Sequence, residues 1–225
     1  MTNTVTTFNH PAVWRAREGL LNDTSRLKTG YTVLDDLLGG GLPSKGLVRV
    51  RSLSGIGELS VFHQVLADNP NEKLISIINC PGNIHAAWLH QYHIDAEHVR
   101  LIRPEQPKDI LWSAEQCLKS EACHIVVLWI NNLTPRQARR LQVAASQHNT
   151  LCLMLESQHV ARCALPLTLD MRISSTPTGL HIQIDKHVGA QADVSADIGF
   201  SNTPSNKTIN QILHQRSDYI ASATG

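Results

Sequence analysis

An excess of charge of either sign is missing. Across 225 residues 20 lysines and arginines face 19 aspartates and glutamates, a formal net charge of +1. Such a chain has no global field to gather nucleic acid or an anionic membrane, so contact of that kind must come from a local patch. A disulfide framework is missing too. The five cysteines, Cys80, Cys117, Cys123, Cys152 and Cys163, are odd in number and contain no C-x-x-C pair, which is the pattern of reduced, mostly buried thiols in a cytoplasmic protein. Long apolar runs are absent: Ile125 to Ile130 is the longest, far too short to span a bilayer, and Met1 to His10 is polar with no apolar core. No membrane contact is expected, and no internal repeat is visible.

What is there is an alternation of strand and helix patterns from about Leu47. Leu47 to Val50 reads as a strand and Gly57 to Ala67 as a helix; Leu74 to Ile78 is strand and Ile84 to Tyr92 helix; Val99 to Ile102 is strand and Lys108 to Ser120 helix. Ile125 to Ile130 is apolar on both faces, as the middle of a helix-covered parallel sheet requires. Thr134-Pro135-Arg136-Gln137 announces the next helix with a Thr N-cap, Pro at the first helical position and Gln three residues on. Leu151 to Leu155 supplies a further buried strand. After Pro166 the period falls to two: Leu167, Leu169 and Met171, then Leu180, Ile182 and Ile184, about a turn at Pro177-Thr178-Gly179, predict an antiparallel hairpin at the sheet edge. Gly189 to Gly225 is rich in Ala, Ser, Asp, Asn and Thr and is expected to be a flexible tail. The predicted fold is an α/β core, a largely parallel sheet flanked by helices with a C-terminal hairpin at its edge.

Between the first strand and its helix lies Ser52-Leu53-Ser54-Gly55-Ile56-Gly57-Glu58-Leu59. A phosphate loop at such a place reads G-x-x-x-x-G-K-[ST]: glycines let backbone amides close round the phosphates, Lys reaches the outer phosphates and the hydroxyl ligates magnesium. Gly57 survives from that pattern. Ser52 stands at the first glycine, Glu58 at the Lys and Leu59 at the hydroxyl, so Ser52, Ser54, Gly55, Gly57, Glu58 and Leu59 form a degenerate loop in which a carboxylate would repel a polyphosphate.

Thr29-Gly30, Leu34-Asp35, Gly39-Gly40-Gly41-Leu42-Pro43 and Gly46 together resemble the lead-in to the phosphate loop of RecA. The likeness continues from Ile77 through Pro104 and at Leu133-Thr134-Pro135. The ImuA/SulA-like family, RecA relatives encoded with DNA-damage genes, is similar at more points: Gly55-Ile56-Gly57-Glu58-Leu59, His10-Pro11-Ala12-Val13-Trp14-Arg15, Leu111-Trp112-Ser113-Ala114-Glu115-Gln116, Val127-Leu128-Trp129 and Arg139-Arg140-Leu141-Gln142. The resemblance runs from about His10 to His187. It implies a RecA-like pseudo-ATPase domain over 29–188 after an N-terminal segment, 1–28, and before the tail, 189–225. It also implies a non-catalytic accessory protein of SOS mutagenesis, working with RecA, with an inactive Y-family polymerase relative of the ImuB type and, indirectly, with an error-prone C-family polymerase. The SulA branch of the resemblance implies instead a cell-division inhibitor that captures FtsZ; the His10 to Gly57 portion, generally lacking in SulA-like chains, favours the ImuA branch.

Carried across by the same resemblance, Trp129 stands where a magnesium-binding Asp would, and Pro81 where the catalytic Glu belongs. Losing phosphate, metal and water-activating groups together leaves phosphoryl transfer without its positioned charges, so no enzyme activity and no cofactor are expected. The mobile DNA-binding loops of RecA look deleted, since only Asn131-Asn132-Leu133 separates Ile130 from Thr134 and Glu156 to Leu165 contains no glycine. DNA binding is therefore expected to be weak or indirect. Arg136, Arg139 and Arg140 share one helical face without interleaved aromatics; a solvated face is the favoured reading, with a phosphate patch or a partner's acidic surface as the functional ones. His85, His90, His93 and His98 lack a Cys or carboxylate pair at zinc spacing and read as surface histidines. Trp14 lies in a segment that packs on its own core or docks into a neighbour. In the tail Ile209, Ile212, Leu213 and Arg216 share a face, the pattern either of a linker or of a segment that folds on a partner.

Overall fold

Gly46–Ser52 is buried at every residue, and a strand with no exposed face belongs in the middle of a sheet covered on both sides. The computed structural model describes residues 25–161, 163–188 and 192–199; Trp14, Ile209 and Leu213 lie outside them. β1 (Arg26–Leu27) pairs antiparallel with β2 (Leu42–Pro43) around the short helix α1 (Thr32–Leu37). Then follow β3 (Gly46–Ser52), a 3-10 turn (Glu58–Phe62), α2 (His63–Ala67), β4 (Leu74–Ile78), α3 (Ala86–Gln91), β5 (Val99–Ile102), α4 (Pro107–Lys119), β6 (Cys123–Trp129), α5 (Pro135–Gln147), β7 (Leu151–Ser157), β8 (Leu169–Thr176), β9 (Gly179–His187) and β10 (Val194–Gly199). The main sheet has the order β10-β9-β8-β3-β7-β6-β4-β5. From β8 to β5 every pairing is parallel, and β8-β9 and β9-β10 are antiparallel.

Alternation along the strands divides the core into two layers. Val48, Val50, Ile125, Val127, Leu153 and Leu155 join Leu34, Phe62, Val65 and Leu89 on the face covered by α1, α2 and α3. Leu47, Val126, Leu128, Cys152 and Met154 join Leu118 of α4 and Leu141 of α5 on the other. The capping box expected at Thr134 is formed: its hydroxyl accepts from Gln137 N at 3.3 Å while Gln137 Oε1 accepts from Thr134 N at 2.9 Å.

Three expectations change. The helix expected over Gly57 to Ala67 is divided, because Gly57 adopts φ +94° and Ser60 N donates to Gly57 O, three residues back, at 2.9 Å; α-helical bonding starts only at His63. The expected tail begins with a strand: β10 pairs with β9 along its length and turns Ala196 and Ile198 into the core. Its inward positions fall on every second residue, but an Ala among them and Ser and Asp between them mask the pattern. Antiparallel pairing also begins at Arg26, ahead of the expected domain start at 29. All five cysteines are free thiols, with Cys163 exposed and Cys123 and Cys152 buried.

The face of β3 that carries Leu47 also carries Arg49 and Arg51, both buried. Arg49 makes a two-pronged bond to Asp170 of β8, at 3.0 and 2.7 Å, and lies 3.5 Å from Glu156 of β7. Arg51 donates to Asp185 of β9, which also accepts from Arg172 at 2.8 Å. The β8-β9 ladder slips between Asp170 and Met171, and Asp185 falls at that irregularity, where an extra residue re-aims a side chain. Burial works against the charge of Arg49, but hydrogen bonding to Asp170 and the charges of Asp170 and Glu156 outweigh it and raise its pKa. Burial raises the pKa of the Glu156 carboxyl, outweighing Arg49 and Arg51.

Arg49→Met leaves these carboxylates buried without their main cation, and the free energy of unfolding in urea falls by about 3–5 kcal/mol. A second expectation concerns pH. Burial lowers the pKa of His124, whose Nε2 donates to Val65 O at 3.0 Å. The unfolded chain protonates this imidazole at about 6.5, so its contribution to stability is present above that pH and is lost as the pH falls below it. The melting temperature of His124→Gln therefore depends less steeply on pH below about 6.5.

Candidate functional site

Open α/β sheets bind ligands beyond the carboxyl ends of their strands. At that end β3, β4, β6 and β7 surround a pocket of about 230 Å³ lined by Ser52, Ser54, Asn79, Pro81, Trp129 and Glu156 among others. The sequence-predicted loop thus sits where a nucleotide site belongs, and the structure brings Ser52, Ser54, Pro81 and Trp129 together there. Among the described residues no Lys or Arg lines the pocket.

The loop closes on its own anion. Glu58 is 5% exposed, and its two carboxylate oxygens lie 3.3 and 3.1 Å from the amide nitrogen of Gly55, which donates to them. Positive φ at Gly55 (+88°) and Gly57 (+94°) makes that turn possible. The expected repulsion between Glu58 and a phosphate therefore has a structural form: the carboxylate occupies an amide that a phosphate would need. Leu59 turns into the apolar layer with Val61 and Phe62. Trp129 is 8% exposed and packs in the same layer, leaving its indole Nε1 without a partner among the described residues.

Asn79 escaped the sequence reading. At φ +56° it ends β4, and its Nδ2 donates to Trp129 O at 2.8 Å while its own N donates to Ile102 O at 2.9 Å. It ties the ends of β4, β5 and β6 into one wall. The available signal was Asn79-Cys80-Pro81-Gly82, a run of turn-forming residues directly after an apolar strand. The charges of β3, β8 and β9 were missed as well; two arginines at alternate positions of an otherwise apolar strand were the available sign. The connections that replace long loops are fastened: Asn131 Oδ1 accepts from Ser157 N at 2.9 Å, and Cys163 O accepts from Arg49 Nη1 at 3.2 Å.

Arg136, Arg139 and Arg140 are all exposed but do not act as one patch. Arg140 is committed to Glu115 of α4, which also accepts from Lys119 at 2.7 Å. The hydrogen bond from Lys119, then the charges of Arg140 and Lys119, hold the Glu115 carboxyl below its ordinary pKa against the effect of burial. Arg139 lines a different, larger pocket at the opposite end of the sheet. Of the four histidines, His98 pairs with Asp95 at 2.9 Å, and no group of three or more His, Cys, Asp or Glu placed to hold a metal occurs among the described residues. No helix among the described residues is long and apolar enough to cross a membrane.

No family model matches the chain, and no curated protein matches it. Among solved structures the RadB recombinase is similar at 17% identity with a TM-score of 0.62, over 78% of this chain and 96% of that one. That likeness shows a shared RecA-type fold. SulA from Pseudomonas aeruginosa is similar at 20% identity with a TM-score of 0.42, over 49% of this chain and 97% of that one.

Glu58→Leu removes the acceptor from the Gly55 amide. A charge-assisted bond of this kind contributes about 1.5–3 kcal/mol, so the variant melts lower by roughly 3–12 °C and its Gly55 amide exchanges hydrogen faster. Glu58→Gln, which retains an acceptor oxygen, loses less.

Proposed function

We propose that the chain is a non-catalytic RecA-fold adaptor of the SOS response to DNA damage, which supports translesion synthesis and induced mutagenesis by docking on RecA and on an ImuB-type inactive polymerase. The observation that carries this reading is the carboxylate of Glu58 bonded to the Gly55 amide beside a pocket that no cation lines among the described residues. Phosphoryl transfer depends on positioned positive charge, and here the loop's own residue supplies negative charge instead. The shared fold supports mimicry of a RecA subunit, and the family likeness of the Leu111 to Gln116 segment supports the mutagenesis context.

A docking edge supports the same reading. Among the described residues β5 pairs with β4 alone, and an open sheet edge offers a partner a row of backbone donors and acceptors. Beside it Leu101 is 47% exposed and Trp112 of α4 61% exposed. A large exposed aromatic on a rigid helix is the kind of anchor that dominates binding energy at an interface.

Purified chain is expected to give no magnesium-dependent ATP turnover; a saturable isotherm with turnover would falsify the non-catalytic reading. In parallel pull-downs at micromolar concentration the chain captures RecA and the ImuB-type protein, and Trp112→Ala weakens capture of at least one of them about tenfold or more. Capture of FtsZ instead, with cell filamentation on induction in undamaged cells, favours a division inhibitor. Unchanged cell length with altered damage-induced mutation favours the adaptor.

A further inference from the structure

Arg26 of β1, Lys45 in the turn before β3, Arg139 of α5 and Lys186 of β9 line a pocket of about 720 Å³, and among the described residues no carboxylate lines it. It lies at the amino ends of the parallel strands, across the sheet from the Glu58 loop. In a chain of net charge +1, four cations converging from four elements make a local field that the overall composition conceals. Three of them donate to neutral acceptors, Lys45 Nζ to Asn149 Oδ1 at 3.3 Å. Arg26 Nη1 donates to His187 Nε2 at 3.3 Å, and Lys186 Nζ donates to Leu165 O at 3.5 Å. Burial, then the charge of Arg26, lowers the pKa of His187, so the imidazole stays an uncharged acceptor.

The floor is built without a ligand. Gln142 Oε1 accepts from Leu47 N at 2.7 Å and from Thr168 Oγ1 at 3.2 Å, while its Nε2 donates to Ser146 Oγ at 3.1 Å. Gly46, at φ +101°, lets β3 start against that floor; a Cβ there would lie 2.3 Å from Thr168 Oγ1.

Three features choose among anions. Compact phosphates favour helix amino ends, whereas α5 presents Arg139, Gln142 and Ser146 here, from its middle to its carboxyl end. Among the described residues no aromatic ring lines the pocket, so none of them offers a nucleic-acid base a stacking face. Pro43, Pro166 and Leu167 give the wall an apolar side. We propose that this pocket takes an acidic peptide segment of a partner protein, its carboxylates meeting Arg26, Arg139 and Lys186 and an apolar side chain resting on Pro43, Pro166 and Leu167. The inference does not rest on the function of the Glu58 loop or the β5 edge.

The test is fluorescence anisotropy with a labelled peptide alternating leucine with aspartate and glutamate, run beside a labelled oligothymidylate and a labelled nucleoside triphosphate. The full chain binds the peptide in preference to both, binding weakens as salt is raised, and Arg139→Glu with Lys186→Glu weakens it about tenfold or more. Both side chains are exposed, so an unchanged melting temperature separates loss of binding from loss of fold, and Arg139→Ala alone, expected to weaken binding less, serves if the double variant unfolds. No binding of the peptide, binding unaffected by the folded variants, or preference for the oligonucleotide or the triphosphate overturns the proposal.

Discussion

Arg49 sets the terms on which the central strand can be buried. A guanidinium out of water is tolerated only beside carboxylates with good geometry, and the carboxylates that meet it come from β7 and β8, on either side of β3. Glu156 and Asp170 are 107 and 121 residues away in sequence. A one-residue slip of β3 would turn both arginines to the apolar face that holds Val48 and Val50. The ion pairs therefore act as register pins for a strand whose neighbours on both sides form late in the chain, and Arg51 extends the constraint to β9 through Asp185. Everything at the carboxyl end of β3, the loop included, inherits its position from that registration.

The loop and its surroundings turn their side chains to partners within the fold. Glu58 supplies an internal partner for an amide, Leu59 joins the core, and Trp129 fills the layer beneath the pocket. Asn79 then joins the strand ends with side-chain hydrogen bonding. Each of these groups is satisfied inside the protein, apart from the indole nitrogen of Trp129, which has no partner among the described residues. The result is a site whose frame is kept and whose polar capacity is mostly spent internally.

The parts of this fold legible in the sequence are those with local causes. Thr134, Pro135 and Gln137 specify a helix start within four residues, and Ile125 to Leu128 identify a doubly covered strand from composition alone. The layered α/β architecture and the hairpin followed from such signals. The ion-pair network was not legible because its partners meet only after the sheet has assembled. β10 was not because two aliphatic residues and an alanine at alternate positions carry little signal against a polar background. The divided helix after Gly57 depends on a positive φ that a pattern of apolar residues does not encode. Arg136, Arg139 and Arg140 looked equivalent on a helical wheel; their roles separate only once Glu115 on α4 is brought beside one of them.

The bond between Glu58 and Gly55 has a consequence for signalling. A free phosphate occupies a loop in proportion to its concentration, so a nucleotide-driven subunit reads the supply of nucleotide and changes state with it. An anion carried by the chain is always present, at an effective concentration fixed by a short tether, on the order of millimolar or above. The loop thus carries its own acceptor, and a phosphate from outside would reach the Gly55 amide only by displacing Glu58. Closing this turn needs nothing beyond the chain itself, so its shape is set when the strand and the 3-10 turn form around Gly55 and Gly57.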